Sequence, residues 1–109
     1  MKLPENTLIA QEKLTKYLLA LRKRNDKSQW LAEAGYKLEN WKVLESDLRE
    51  LILSIDAAPT EKTEYGQIYE IRGKMVGPNG KNLAVCTIWI TERVTEETKF
   101  ITMYPDKRK

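Results

Sequence analysis

The sequence predicts an α+β domain in which two to three N-terminal helices pack on one face of a three- to four-stranded antiparallel meander. Apolar residues recur at helical spacing in the first half and alternate in the second, and a polar segment separates the halves. A chain of 109 residues is expected to form a single domain, residues 1–109. We divide it into a helical half (7–54), a linker (55–66), a β-meander (67–105) and a basic tail (106–109).

Three amphipathic segments make up the helical half. The first starts at Thr7 or Ala10, with a short β segment at 7–9 as the alternative, and ends at RKRND. The second, KSQWLAEA, has Asp26 as its N-cap and Gly35 as its stop. The third starts at Glu39 or Asn40. Apolar stripes at i, i+3, i+4 and i+7 support the first and third helices: Leu14, Tyr17, Leu18 and Leu21, then Trp41, Leu44, Leu48, Leu51 and Ile52.

The second half contains three predicted strands, at about residues 67–76, 82–92 and 99–104. GPNG (77–80) is a hairpin turn, in which Asn79 and Gly80 readily adopt positive φ angles. It lacks the Gly-Lys-Ser/Thr ending of a phosphate-binding loop. SIDAAPTEKTEYG (54–66) contains Pro59 and has no sustained period, which is typical of a connecting segment.

Alternation along the strands predicts one face against the helices and one open face. The helix-facing set is expected to be Tyr69, Ile71, Gly73, Met75, Ala84, Cys86, Ile88, Ile90, Ile101 and Met103. The open set is expected to be Glu70, Arg72, Lys74, Thr87, Trp89, Phe100, Thr102 and Tyr104. Cations neutralise phosphates and aromatic rings stack on bases, so the open set is typical of an RNA-binding surface. An ordinary solvated sheet face is the alternative interpretation.

Composition narrows the chemistry. The sequence has no histidine, which excludes Ser-His-Asp and Cys-His catalysis and imidazole metal sites. Its single cysteine, Cys86, excludes an internal disulfide, and we expect a buried, inert thiol there. We expect no cofactor and no bound metal. The net charge of +3 is only mildly basic. With no membrane span and no signal peptide in the sequence, we expect a cytoplasmic protein that does not contact a membrane.

Seven phrases carry a resemblance to a known family: KLTKYLL (13–19), DKSQWLAEAGY (26–36), NWKVLESDLRE (40–50), YGQIYEIRG (65–73), GPNG (77–80), VCTIWI (85–90) and FITMYP (100–105). The chain resembles an uncharacterised bacterial domain family found as small free-standing proteins and as C-terminal domains of polymorphic toxins and haemagglutinin-like proteins. Its architecture is also similar to that of the barnase, EndoU, colicin D and RelE toxin nucleases. This second resemblance implies that the protein is a ribonuclease. Some nucleases of that group act through Lys, Arg and Tyr side chains.

Individual positions match the family. Lys27 matches the lysine after the first helix, and Tyr65 matches the Tyr-Gly pair before the first strand. Trp89 matches the tryptophan of the second strand, while Thr102 and Tyr104 match the closing TxYP. The sequence departs from the family before Lys27, where RKRND replaces a longer, Gly-containing loop.

The resemblance and the open face together predict a metal-independent endoribonuclease toxin of a toxin–antitoxin or polymorphic toxin system. Cleavage needs a base, an acid and cations at the phosphate. The predicted catalytic residues are Lys27, Arg72 and Tyr104, with Glu70 as an alternative base. The predicted substrate-binding residues are Lys62, Tyr65, Lys74, Trp89 and Thr102.

The alternative is a non-catalytic protein-interaction domain, either an adaptor or an immunity-type partner, and the sequence leaves open whether the protein is an enzyme. The expected partners are RNA and a cognate antitoxin protein. The third predicted strand lies at an edge of the sheet, where a partner strand or a second copy of the chain can pair with it.

Overall fold

The computed structural model describes residues 1–19 and 27–107 and confirms the α+β fold. A π-helical turn (Lys13–Leu18) and a 3₁₀ turn (Leu38–Asn40) accompany the regular elements. These are α1 (Ser28–Ala32), α2 (Trp41–Ser54), β1 (Ala58–Thr63), β2 (Gly66–Val76), β3 (Asn82–Glu92) and β4 (Thr98–Pro105). No helix within the described residues is long and apolar enough to cross a membrane.

The first helical segment forms a wide turn. The Leu19 N–H donates to the Leu14 carbonyl five residues earlier, at 2.8 Å, which is the π-helical pattern. This turn buries Leu14, Leu18 and Leu19, while Tyr17 remains 53% exposed. The expectation that Tyr17 shares the buried stripe is therefore wrong. Leu21, the RKRND ending and the Asp26 cap lie outside the described residues.

Gly35 ends the second helical segment as predicted. Its φ of 93° lies in the left-handed region that favours glycine, and its N–H donates to the Ala32 carbonyl at 2.9 Å. The GPNG turn packs on this helix end, because Asn79 donates through its side chain to the Glu33 carbonyl at 2.9 Å. The hairpin between β2 and β3 is thereby fixed against the helical layer.

The predicted stripe of α2 faces the core. Leu44, Leu48 and Ile52 are fully buried, and Leu51 is nearly so. On another side of the helix, Arg49 bonds through Nη1 to the carbonyls of Glu5 and Thr7, at 3.0 and 2.5 Å. Arg49 thus ties the N-terminal segment to α2.

The sheet has four antiparallel strands in the order β1-β2-β3-β4. The predicted linker 55–66 is wrong over Ala58–Thr63, which forms the edge strand β1. Pro59 is compatible with this position, because an edge strand has a side on which no N–H is needed for pairing. Exposed, polar β1 gives no apolar alternation from which the sequence could predict a strand.

The two faces of β3 are exchanged relative to the prediction. Val85, Thr87 and Trp89 are fully buried on the helix side, together with Phe100 of β4. Their neighbours of opposite parity, Ala84, Cys86, Ile88 and Ile90, lie on the open face. A register shift between Ile88 and Trp89 places an extra residue in β4, so Phe100 and Thr102 face opposite sides.

The outer edge of β4 is also partly paired. The Leu8 N–H donates to the Thr98 carbonyl, and the Phe100 N–H donates to the Leu8 carbonyl, both at 2.8 Å. These two bonds form a short parallel bridge at Lys99. The first half of the β4 edge is therefore not open to a partner strand, contrary to the expectation that this edge is exposed.

Candidate functional site on the open face

The register of the sheet fixes which side chains share the open face. Arg72 pairs with Cys86, and Cys86 pairs with Tyr104, so their side chains lie in one row across β2, β3 and β4. A neighbouring row contains Glu70, Ile88 and Thr102, in the same order of strands. These two rows form the centre of the candidate site.

Arg72 is held by two carboxylates. Its Nε and Nη2 donate to the two oxygens of Glu70, at 2.5 and 3.2 Å, and its Nη1 donates to Asp106 Oδ1 at 2.7 Å. The hydrogen bond to Glu70 raises the pKa of Arg72, so the guanidinium is cationic at every accessible pH. Two carboxylates against one guanidinium leave this group with one net negative charge.

Lys27 reaches the same face from the helical layer. It precedes α1, and its Nζ donates to Thr102 Oγ1 at 3.1 Å. The ammonium also lies 5.9 Å from the centroid of the Tyr104 ring, within the range of a cation–π contact. A cation from the first half of the chain is therefore placed beside Thr102 and Tyr104 of β4, on the face that also carries Arg72.

Tyr104 and Cys86 both remain protonated at neutral pH. A hydrogen bond with Cys86, together with burial, raises the pKa of Tyr104. Burial raises the pKa of the Cys86 thiol, and the bond with Tyr104 opposes that shift. Tyr104 thus keeps its proton at neutral pH and can donate a hydrogen bond; the raised pKa makes it a weaker acid than an ordinary tyrosine, so it gives up a proton only to a strongly basic oxygen such as a leaving alkoxide. It is not suited to be a general base, which needs a lowered pKa.

An open depression adjoins these groups. Its volume is about 570 Å³, and its lining residues are Arg72, Tyr104, Pro105 and Lys107. Two of these four residues are cationic, and Tyr104 offers part of an aromatic surface. The depression is therefore a place where an anionic ligand can contact both Arg72 and Tyr104.

The structure brings five of the eight predicted site residues to the open face: Lys27, Arg72, Lys74, Thr102 and Tyr104. Lys74 is exposed and lies two residues along β2 from Arg72. The other three are elsewhere.

Trp89 is fully buried on the helix side, where its ring packs edge-on against Phe100 with centroids 5.0 Å apart. Placing Trp89 on the open face for base stacking was wrong. Lys62 pairs with Gln67, and so points to the opposite side of the sheet from Arg72. Tyr65 is 71% exposed, but it lies roughly 20 Å along β2 from Arg72 at 3.3 Å per residue.

The residues predicted for the site from the sequence do not include two that the structure places there, Asp106 and Cys86. Asp106 had been placed in the basic tail, and Cys86 on the helix side. Counting outward from the four residues of GPNG would pair Arg72 with Val85. The observed register pairs Val76 with Asn82 around a five-residue loop, 77–81, and this extra loop residue brings Cys86 opposite Arg72. The position of Asp106 depends on the register between β3 and β4, which includes an extra residue in β4 that nothing in the sequence marks.

Comparison with known proteins gives a family. Residues 2–107 match a family model described as a domain of unknown function, DUF6883. The chain belongs to the DUF6883 family. None of the curated protein sequences matches this DUF6883 chain.

A solved structure shares the fold of this DUF6883 domain. It is a chain of a contact-dependent growth inhibition toxin–immunity protein complex from Klebsiella pneumoniae 342. The two chains superpose with a TM-score of 0.71 at 17% sequence identity, over 92% of this chain and 100% of that chain. At this identity the likeness establishes the common fold.

Proposed function

We propose that this DUF6883 domain is a metal-independent endoribonuclease toxin of a bacterial toxin–antitoxin or polymorphic toxin system. The observation that carries the proposal is the meeting of Lys27, Arg72 and Tyr104 on one face, although they come from three distant parts of the chain. The fold shared with a chain of a toxin–immunity complex supports the toxin-system context.

In the proposed reaction, the 2′-oxygen of RNA attacks phosphorus and the bond from phosphorus to the 5′-oxygen breaks. Glu70 takes the proton of the 2′-hydroxyl. Tyr104, protonated at neutral pH, gives a proton to the leaving 5′-oxygen. Lys27 and Arg72 stabilise the additional charge on the phosphate in the transition state.

Binding residues surround this centre in the proposal. Thr102 positions the Lys27 ammonium through their 3.1 Å hydrogen bond, and Lys74 extends the positive surface along β2. Lys62, Tyr65 and Trp89 are left out of the proposed site because of their positions in the sheet.

The test is cleavage of a labelled RNA by purified protein in EDTA, with Lys27→Met and Tyr104→Phe beside the wild type. Removing one group that stabilises the transition state typically lowers the rate by about 100- to 1,000-fold, and we expect losses of this size. Lys42→Met, at an exposed lysine of α2, is the matched control and should cleave at the wild-type rate. Intact RNA with folded wild-type protein, or an undiminished rate for Lys27→Met, would contradict the proposal.

A second candidate is the non-catalytic interaction domain, either an adaptor or an immunity-type partner. The favouring observation is an unpaired strand edge. Pairing with β1 ends at Glu70, so among the described residues no strand covers the outer side of β2 from Ile71 to Val76. A groove of about 270 Å³ runs between this edge and α2, and its polar lining includes Asp47, Glu50, Ser54 and Lys74.

Such an edge can add a strand from a partner protein or from a second copy of the chain. Substituting Val76→Pro adds no charge to the edge and removes one outward N–H. If the chain acts only as an interaction domain, this variant loses its antitoxin or partner in co-purification, while Arg72→Ala retains it. Under the nuclease proposal, Arg72→Ala loses RNA cleavage and Val76→Pro retains it.

A further inference from the structure

Asp106 is attached through its backbone to the end of the sheet. It follows the last residue of β4, and its N–H donates to the Ala84 carbonyl at 2.9 Å. Its side chain is 15% exposed, and that of Arg72 is 23% exposed. The contact between Asp106 Oδ1 and Arg72 Nη1, at 2.7 Å, therefore belongs to the folded sheet and not to a loose tail.

The two carboxylates hold Arg72 differently. Glu70 lies two residues before Arg72 on the same strand and accepts from both Nε and Nη2. Asp106 accepts from Nη1 and comes from the end of another strand. A phosphate that entered the adjoining depression would meet Arg72 and Lys107, and it would compete with Asp106 for Nη1.

We propose that Asp106 is a displaceable counter-ion, occupying at Arg72 the position of a phosphate group. The proposal rests on the proposed function in one respect only, namely that the phosphate is a phosphodiester of RNA. While Asp106 is in place, its carboxylate occupies Arg72 Nη1 and adds a negative charge that opposes the approach of an anion. Withdrawal of the Asp106 carboxylate makes Arg72 Nη1 and Lys107 available together.

The charge arithmetic gives the direction and size of the effect. Asp106→Asn keeps an oxygen that can accept from Arg72 but removes the negative charge. Two unit charges a few ångströms apart at a protein surface interact strongly enough to change an anion's affinity by about tenfold or more at low salt. The variant should therefore bind phosphate groups at least about tenfold more tightly than the wild type.

Titration with inorganic phosphate, followed by NMR of the Arg72 Nε–H and the Tyr104 amide, tests the proposal. A 2′-O-methyl RNA trinucleotide, which lacks the attacking hydroxyl, is the second probe. Glu39→Gln changes the net charge equally at an exposed carboxylate of the 3₁₀ turn and should bind both probes as the wild type does. Thermal melts confirm that each variant is folded.

Equal affinities of wild type and Asp106→Asn for phosphate would overturn the counter-ion. So would a gain that persists in the Asp106→Asn/Arg72→Met double variant, because the gain would then not act through Arg72. Tighter phosphate binding with Arg72 required supports it. RNA cleavage by the wild type tests the proposed function separately. Absence of cleavage would contradict the nuclease proposal, whereas an unchanged phosphate affinity would contradict only the proposed role of Asp106.

Discussion

Thr87 links two buried polar groups, and its hydroxyl can be removed with almost no change of shape. The hydroxyl donates to the Ile71 carbonyl at 3.0 Å and accepts from Trp89 Nε1 at 2.8 Å. Both Thr87 and Trp89 are fully buried, so water cannot replace the lost partner. Thr87→Val thus leaves an indole N–H unsatisfied in the core.

The expected loss follows from these two bonds. A buried donor without a partner costs about 1–3 kcal/mol, and the bond to the carbonyl contributes about 1 kcal/mol. We therefore expect Thr87→Val to lower the free energy of unfolding by about 2–4 kcal/mol. For a domain of this size that corresponds to a fall in Tm of roughly 10 °C or more.

Urea unfolding followed by circular dichroism measures this loss. A double-mutant cycle between Thr87 and Trp89 isolates the part that comes from their hydrogen bond. In a Trp89→Phe background the indole donor is absent, so the same Thr87→Val substitution should cost at least about 1 kcal/mol less. Thr60→Val, at an exposed threonine of β1, should change stability by less than about 0.5 kcal/mol. A loss below 0.5 kcal/mol for Thr87→Val, or an equal loss in both backgrounds, would refute the reasoning.

Three further substitutions test other parts of the fold. Burial and the bond to Asp47 raise the pKa of Tyr36, so the stability that the neutral phenol contributes is complete below about pH 10 and is lost above it. Relative to Tyr36→Phe, the free energy of unfolding of the wild type should fall above that pH by up to about 1.4 kcal/mol per pH unit, as measured by urea unfolding. Gly77→Ala should destabilise by about 2 kcal/mol or more in thermal melts, because the new Cβ would lie 1.9 Å from the Ala34 carbonyl oxygen. Arg49→Met should cost about 1.5–3 kcal/mol and speed amide exchange in residues 5–9, and unchanged exchange there would show that the N-terminal segment is held by other contacts.

Helix α2 could be predicted from the sequence because its periodicity and its burial agree. Leu44, Leu48 and Ile52 recur at helical spacing and all face the core. The stop at Gly35 was equally accessible, since only a positive φ fits that position well. Local chemistry decided both features.

The faces of β3 could not be read from alternation. A central strand packs on both sides, and here Ala84, Cys86, Ile88 and Ile90 on one side are as apolar as Leu83, Val85 and Trp89 on the other. The decision is made by pairing with Ile71, which lies opposite Thr87. The extra residue in β4 then separates Phe100 from Thr102, and no pattern in the sequence marks that shift.

Candidate site residues divide along the same line. Arg72, Thr102 and Tyr104 lie on strands whose polar side is unambiguous, and sequence reasoning placed them together. Lys27 was identified through the family resemblance alone, because its distance from the sheet depends on the fold. Trp89 misled because an aromatic residue suits both a core and a stacking surface.

The bridge at Leu8 has a kinetic consequence. Strands β1 to β4 are neighbours in sequence as well as in space, so each pairing closes a short loop and the sheet can zip up quickly. The Leu8–Lys99 bridge instead joins residues roughly 90 positions apart, and closing so long a loop carries a larger entropic penalty. We therefore expect the N-terminal segment to dock after strands β1 to β4 have paired, so that a nascent chain can complete its meander before its own beginning is attached.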